Sequence, residues 1–162
     1  MDIKVNYFDR FIEILDALEA NNVTYALVGG YAVVLYGHPR LTQDIDLFLK
    51  PDQENIRNLQ KTLKSIFNDE SIDEITLDSL IQYPVIRYGS PDGFYIDLII
   101  KIGDAFTFDD IEIVTMDIEG HTIHVASPHT LYKMKCDTVR PVDKSDSFFL
   151  KRLIDGKRDG SV

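Results

Sequence analysis

A chain of 162 residues with 44% apolar residues has room for one domain with a real core and at most a short helical appendage. Its net charge of −10 argues against broad, sequence-independent binding to nucleic acid. A single cysteine, Cys136, excludes an intrachain disulfide and a cysteine-based zinc site. No apolar run approaches membrane-spanning length, and the opening MDIKVNYFDRF lacks the apolar centre of a signal peptide, so the expected location is the cytoplasm. The charge is uneven: residues 1–130 hold 9 Lys/Arg against 22 Asp/Glu, whereas 131–162 hold 8 against 5.

Taken in order, residues 4–21 place Val5, Phe8, Phe11, Ile12, Leu15 and Leu18 at helical spacing, and Asn21-Asn22 ends that helix. Tyr25–Val28 is a buried strand stopped by Gly29. A short helix over Tyr31–Tyr36 closes at Gly37, and the loop from His38 to Gln43 leads into a second strand, DIDLFL. Strand side chains alternate faces, so Asp44 and Asp46 share one face while Ile45 and Leu47 point into the core. Two carboxylates side by side repel unless a positive charge lies between them, and hard oxygen ligands favour magnesium or manganese. Gly29-Gly30, at a strand end and a helix start, lets a phosphate approach unpaired backbone N–H groups. A phosphate cradle facing paired carboxylates is what nucleoside triphosphate chemistry needs. In the loop, Arg40 can hold a triphosphate oxygen or a base, or pair with one of these aspartates. Thr42 reads first as a loop hydrogen-bond donor. His38 offers a general base, although a lone loop histidine is more often merely exposed.

Pro51-Asp52 opens a helix running to about Asn68, with Ile56, Leu59, Leu63 and Ile66/Phe67 as its buried stripe. Asp69–Asp73 reads as a solvated acidic linker and Glu74–Gln82 as a short helix. Pro84–Tyr88 and Phe94–Ile100 form a hairpin around Ser90-Pro91-Asp92-Gly93. Within it Asp97 interrupts an apolar run and needs a partner: a third place in a metal site beside Asp44 and Asp46, or a salt bridge to Arg87 across the hairpin. Residues 103–111 read as a loop with one helical turn. Glu112–Ile118 and His121–Val125 form a hairpin turning at Glu119-Gly120, and His121 and His124 do not share a strand face, which argues against zinc. Ser127-Pro128 caps a helix, and the tail is two helices broken near Pro141.

Gly29-Gly30, the short apolar helix, Tyr36-Gly37, Arg40, Thr42 and Asp44-Ile45-Asp46-Leu47 together resemble the nucleotidyltransferase superfamily related to DNA polymerase beta. They are similar to its small bacterial branch of abortive-infection (AbiEii-type) toxins and aminoglycoside nucleotidyltransferases. Lys135, Arg140, Asp143 and Asp146 resemble the Lys…Arg-Pro-x-Asp-x-x-Asp arrangement of that branch. The likeness covers about residues 23–154.

The resemblance implies an α/β fold: a small mixed sheet flanked by helices, with residues 1–126 as the core and 127–162 as a helical segment packed on it in one domain. It favours Asp97 as the third acid, giving Asp44, Asp46 and Asp97 as catalytic and metal-holding residues for Mg2+ or Mn2+. Gly29, Gly30, Arg40, Thr42, Lys135 and Asp143 form the nucleotide-binding set. Lys135 would reach the triphosphate, so its loss should cost NTP affinity without unfolding. Asp143 would accept a proton or orient Lys135, unless Arg140 and Asp143 simply fasten a polar helix junction. The implied reaction is attack of an acceptor hydroxyl on the α-phosphate of an NTP, with two divalent ions clamping the attacking and leaving oxygens. The acceptor is left open among tRNA or other RNA, protein and an aminoglycoside-like molecule, and an antitoxin partner is a further expectation. The other class is a non-catalytic module of this fold that binds a protein partner, against which the full acid set argues.

Overall fold

The structure, a computed structural model, describes residues 6–42, 44–103, 106–135 and 141–158. Helix α1 (Tyr7–Ala20) starts later than its apolar spacing suggests, because the Asn6 side chain accepts the N–H groups of Phe8 and Asp9 as a cap. It buries Phe11, Ile14, Leu15 and Leu18. Strand β1 (Tyr25–Val28), wholly buried, runs straight into α2 (Gly29–Leu35), and β2 (Asp44–Leu49) follows the loop. Helix α3 (Gln53–Phe67) is capped by the Asp52 carboxylate and stopped by Asn68 in the left-handed conformation.

The acidic stretch that reads as a solvated linker is instead a 3-10 turn, Glu70–Glu74, because Ile72 within it is fully buried. Helix α4 (Leu77–Gln82) carries a Thr76/Ser79 capping box. Strands β3 (Ile86–Gly89) and β4 (Tyr95–Ile99) form the expected hairpin. The stretch after it is not simply a loop: β5 (Lys101–Ile102) pairs with β6 (Phe106–Thr107), and a 3-10 turn spans Phe108–Asp110. Phe106 and Phe108 sit against the buried Phe48, 6.0 and 6.4 Å between ring centres, so burial of these aromatics ties the small hairpin to the sheet. Strands β7 (Ile113–Ile118) and β8 (His121–Ala126) pair around Glu119-Gly120, and α5 (Pro128–Lys135) and α6 (Pro141–Arg158) follow.

Six strands form one mixed sheet in the order β3-β4-β2-β1-β8-β7. The β1–β2, β3–β4 and β7–β8 pairs are antiparallel; β2–β4 and β1–β8 are parallel. Ile45, Leu47, Ile96 and Leu98, at alternate positions of β2 and β4, are completely buried in the core. Buried Asn55 joins helix to sheet: its side chain accepts the Thr24 N–H at 2.7 Å and donates to the carbonyls of Thr24 and Lys50 at 2.8 and 2.9 Å. Those three bonds pin the start of β1 to the end of β2, which fixes the register at their other ends, where Val28 stands opposite Asp46.

A cavity walled by three aspartates

At the end of β1 the chain turns into α2 through Gly29 at φ +72, a conformation that favours glycine. A side chain there would also collide with the Asp46 carboxylate, so two constraints act on one position. Gly30 is similarly crowded: a Cβ would stand 2.8 Å from the Thr42 hydroxyl and 3.2 Å from the Arg40 guanidinium. The glycine pair thus lets the returning loop close over the helix start.

Parallel pairing of β2 with β4 sets Asp46 directly beside Asp97, and Asp44 lies two residues back on the same face. The Asp46 carboxyl is pushed up to about 7, first by burial, then by the charge of Asp97 and a hydrogen bond with it, then by Asp44, with Lys135 pulling the other way. Arg87, opposite Asp97 on β3, donates from Nε to Asp97 Oδ1 at 2.8 Å and from Nη2 to Asp97 Oδ2 at 3.0 Å. Its Nη2 also lies 3.3 Å from Asp44 Oδ2. Of the two partners weighed for Asp97, the salt bridge to Arg87 is present, and Asp46 and Asp44 lie beside it on the neighbouring strand. With the guanidinium among them, the acids are arranged around Arg87, and among the described residues no three His, Cys, Asp or Glu side chains converge as a ready metal site.

Across the cavity, α5 and α6 supply a second cluster. Lys135 Nζ lies 3.0 Å from Asp143 Oδ1 and 3.0 Å from Asp146 Oδ2, and all three residues are buried. Arg40 reaches the same Asp146 Oδ2 at 2.6 Å, so its carboxylate partner is not Asp44 or Asp46 as the loop sequence suggests. His38 stacks on Phe149, 4.7 Å between ring centres, and its Nε2 stands 3.4 Å from Asp146 Oδ1. That places it in a helix contact instead of loose in solvent. Arg140 of the tail motif lies outside the described residues.

All the residues singled out as candidates (Gly29, Gly30, Arg40, Thr42, Asp44, Asp46, Asp97, Lys135 and Asp143) line one cavity of about 370 Å³. Val28, Val85, Arg87, Ile99, Ile102 and Met134 complete it. Reading the sequence for chemistry undervalues two residues. Asp146 joins Arg40 to Lys135, and its place in the tail motif is the one local sign of that. Arg87 faces the acids, as its position across the hairpin turn allows. One wall of the cavity is carboxylate and another is basic, which suits a cation on the first and phosphate oxygens on the second.

Solved structures with the same architecture are nucleotidyltransferases. The lincosamide antibiotic adenylyltransferase LnuA with bound lincomycin is similar at TM-score 0.59 and 19% identity, covering 93% of this chain and 98% of that one. A nucleotidyltransferase-like antigenic protein from Paracoccidioides brasiliensis matches at TM-score 0.59 and 20% identity, over 93% and 78% of the two chains. ANT(2'')-Ia in complex with adenylyl-2''-tobramycin matches at TM-score 0.57 and 14% identity, over 95% and 92%. At these identities the likeness establishes the nucleotidyltransferase fold. A search of curated proteins returns no match. Residues 13–146 match the family described as nucleotidyl transferase AbiEii toxin, Type IV TA system, and the chain belongs to that family.

Proposed function

We propose that this protein moves a nucleoside monophosphate from an NTP to an acceptor hydroxyl, with a divalent ion held by Asp44, Asp46 and Asp97. The observation that carries the reading is the register of Asp46 against Asp97 beside Gly29, facing Lys135 and Arg40 across one cavity. The donor set fits a hard ion: three carboxylates on two neighbouring strands, with the Asp46 carboxyl pushed up to about 7 by burial and by the charge of Asp97 and Asp44, a repulsion that a cation would relieve. When bound, Mg2+ or Mn2+ would supply charge neutralisation at the reacting oxygens.

The chain's own groups do the rest. Gly29 and Gly30 leave room for phosphate against the backbone, while Lys135, held by Asp143 and Asp146, and Arg40 present positive charge to the leaving pyrophosphate. The acceptor oxygen bonds to the α-phosphorus as the bond to the β-phosphate bridging oxygen breaks. The acceptor's proton leaves toward the Asp97 carboxylate, on the strand beside Asp46. Membership of a toxin family supports a toxin role with an antitoxin partner. No helix among the described residues is long and apolar enough to cross a membrane.

The test is incubation with each labelled NTP and magnesium against tRNA, the protein itself, other proteins and aminoglycosides. Label transfer that Asp46→Asn abolishes supports the reading. No transfer to any acceptor, with no NTP binding, returns the protein to a non-catalytic module.

A further inference from the structure

Arg87 is the one charged residue of the cavity for which the reaction above has no use. It stands on β3, at the edge of the sheet, and its side chain is 53% exposed, whereas that of Asp97 is 13% exposed. Its planar fork matches the Asp97 carboxylate in the two-bond geometry that makes such pairs strong, and the same Nη2 reaches Asp44. The guanidinium also lies over the Tyr95 ring, 5.1 Å from its centre. Asp97 and Asp44 are two of the three acids assigned to the ion, so the guanidinium and a divalent ion claim the same oxygens.

We propose that Arg87 is a resident counter-ion: in the ion-free protein its guanidinium holds Asp97 and Asp44, and a divalent ion gains those carboxylates only by displacing it. The inference rests on the proposed metal-dependent reading and deepens it. Two features make displacement feasible. More than half of the side chain already meets water, so it can leave without unpairing a buried charge. Its strand is the outermost of the sheet, so movement there disturbs one neighbour, β4, and not two. A competing internal cation lowers the apparent affinity for the ion by the fraction of protein in which the acids are free. The ion alone then binds weakly. An NTP, bringing negative charge that the released guanidinium can meet, makes the exchange favourable. Arg87 in this way couples ion binding to nucleotide binding.

The experiment is a Mn2+ titration followed by the electron paramagnetic resonance of free Mn2+, with and without NTP, on the parent, Arg87→Met and Arg87→Lys. Melting in EDTA verifies that each variant is folded. Without NTP, Arg87→Met should bind Mn2+ on the order of tenfold more tightly than the parent, as expected if the acids are free about one time in ten. Arg87→Lys should fall between them, since an ammonium lacks the two-bond fork, and it carries the test if Arg87→Met does not fold. The boost that NTP gives to Mn2+ affinity should shrink in both. Equal or weaker Mn2+ binding in folded Arg87 variants, with normal binding by the parent, overturns the counter-ion role alone. If neither the parent nor any variant binds Mn2+, with or without NTP, the metal reading falls and this inference with it.

Discussion

Replacing Lys135 by Met tests whether the basic wall of the cavity is a structural junction as well as a ligand. From sequence, Lys135 is a triphosphate ligand whose loss costs affinity alone. In the fold it is buried and bridges Asp143 and Asp146, the latter with no exposed surface. Methionine keeps the length and apolar stem while removing the charge. Asp146 then keeps Arg40 but loses its second cation, and the Oδ1 atom already lacks a hydrogen-bond partner. Removing one member of a buried ion pair costs about 3–5 kcal/mol, and the retained Arg40 argues for about 3. For a domain of this size that corresponds to a fall in Tm of about 6–12 °C. Urea and thermal unfolding measure it, and nucleotide affinity is read on the folded fraction. Adding Asp146→Asn should recover part of the loss, because the stranded charge goes with it. A loss below about 1 kcal/mol, or full additivity in the double variant, would refute the buried-junction reasoning.

Three more outcomes follow from the acid wall. Gly29→Ala should lose about 1–2 kcal/mol for its left-handed φ alone, more for the collision with Asp46, and nearly all transfer activity; unfolding and transfer assays on one preparation test both. Asp97→Asn should cut transfer on the order of 100-fold or more while changing Tm little, because its partner Arg87 is largely exposed; near-parental transfer in a stable protein would remove Asp97 from the site. The raised Asp46 carboxyl means that the ion-free fold binds a proton that the unfolded chain releases at lower pH. Its contribution is therefore fully present below the ordinary carboxylate range and is lost as pH rises through about 7. In EDTA, Asp46→Asn should raise Tm at pH 8 more than at pH 5, and an equal rise at both would refute this.

How much of this was legible in the sequence depends on how far apart the partners lie. Asp44 and Asp46 could be read because a two-residue period fixes a face, and Asp97 because a carboxylate in an apolar strand must have company. Gly29 announced itself by standing between a buried strand and a helix. Arg40 did not reveal its partner: Asp146 lies 106 residues away on another helix, and no local pattern encodes a charge pair that only tertiary packing creates. The β5–β6 hairpin leaves no sequence signal because two-residue strands are too short to show alternation. The acidic stretch before α4 reads as a linker because charge masks its single buried apolar residue, Ile72. Arg87 appeared only as an alternative to the metal site, whereas the fold lets it face both Asp97 and Asp44.

The parallel pairing of β2 with β4 has a consequence for the protein while it is being made. Asp46 meets Asp97 only after α3, α4 and β3 have been synthesised and the chain has crossed back over the sheet. Lys135 and Asp146 come later still. A nascent chain emerging from the ribosome therefore passes through most of its length with the glycine cradle made and no opposing charge to work with. The acid wall and the basic wall of the cavity therefore meet only once α6 has been made and has packed, so the last-made helix decides when the cavity closes.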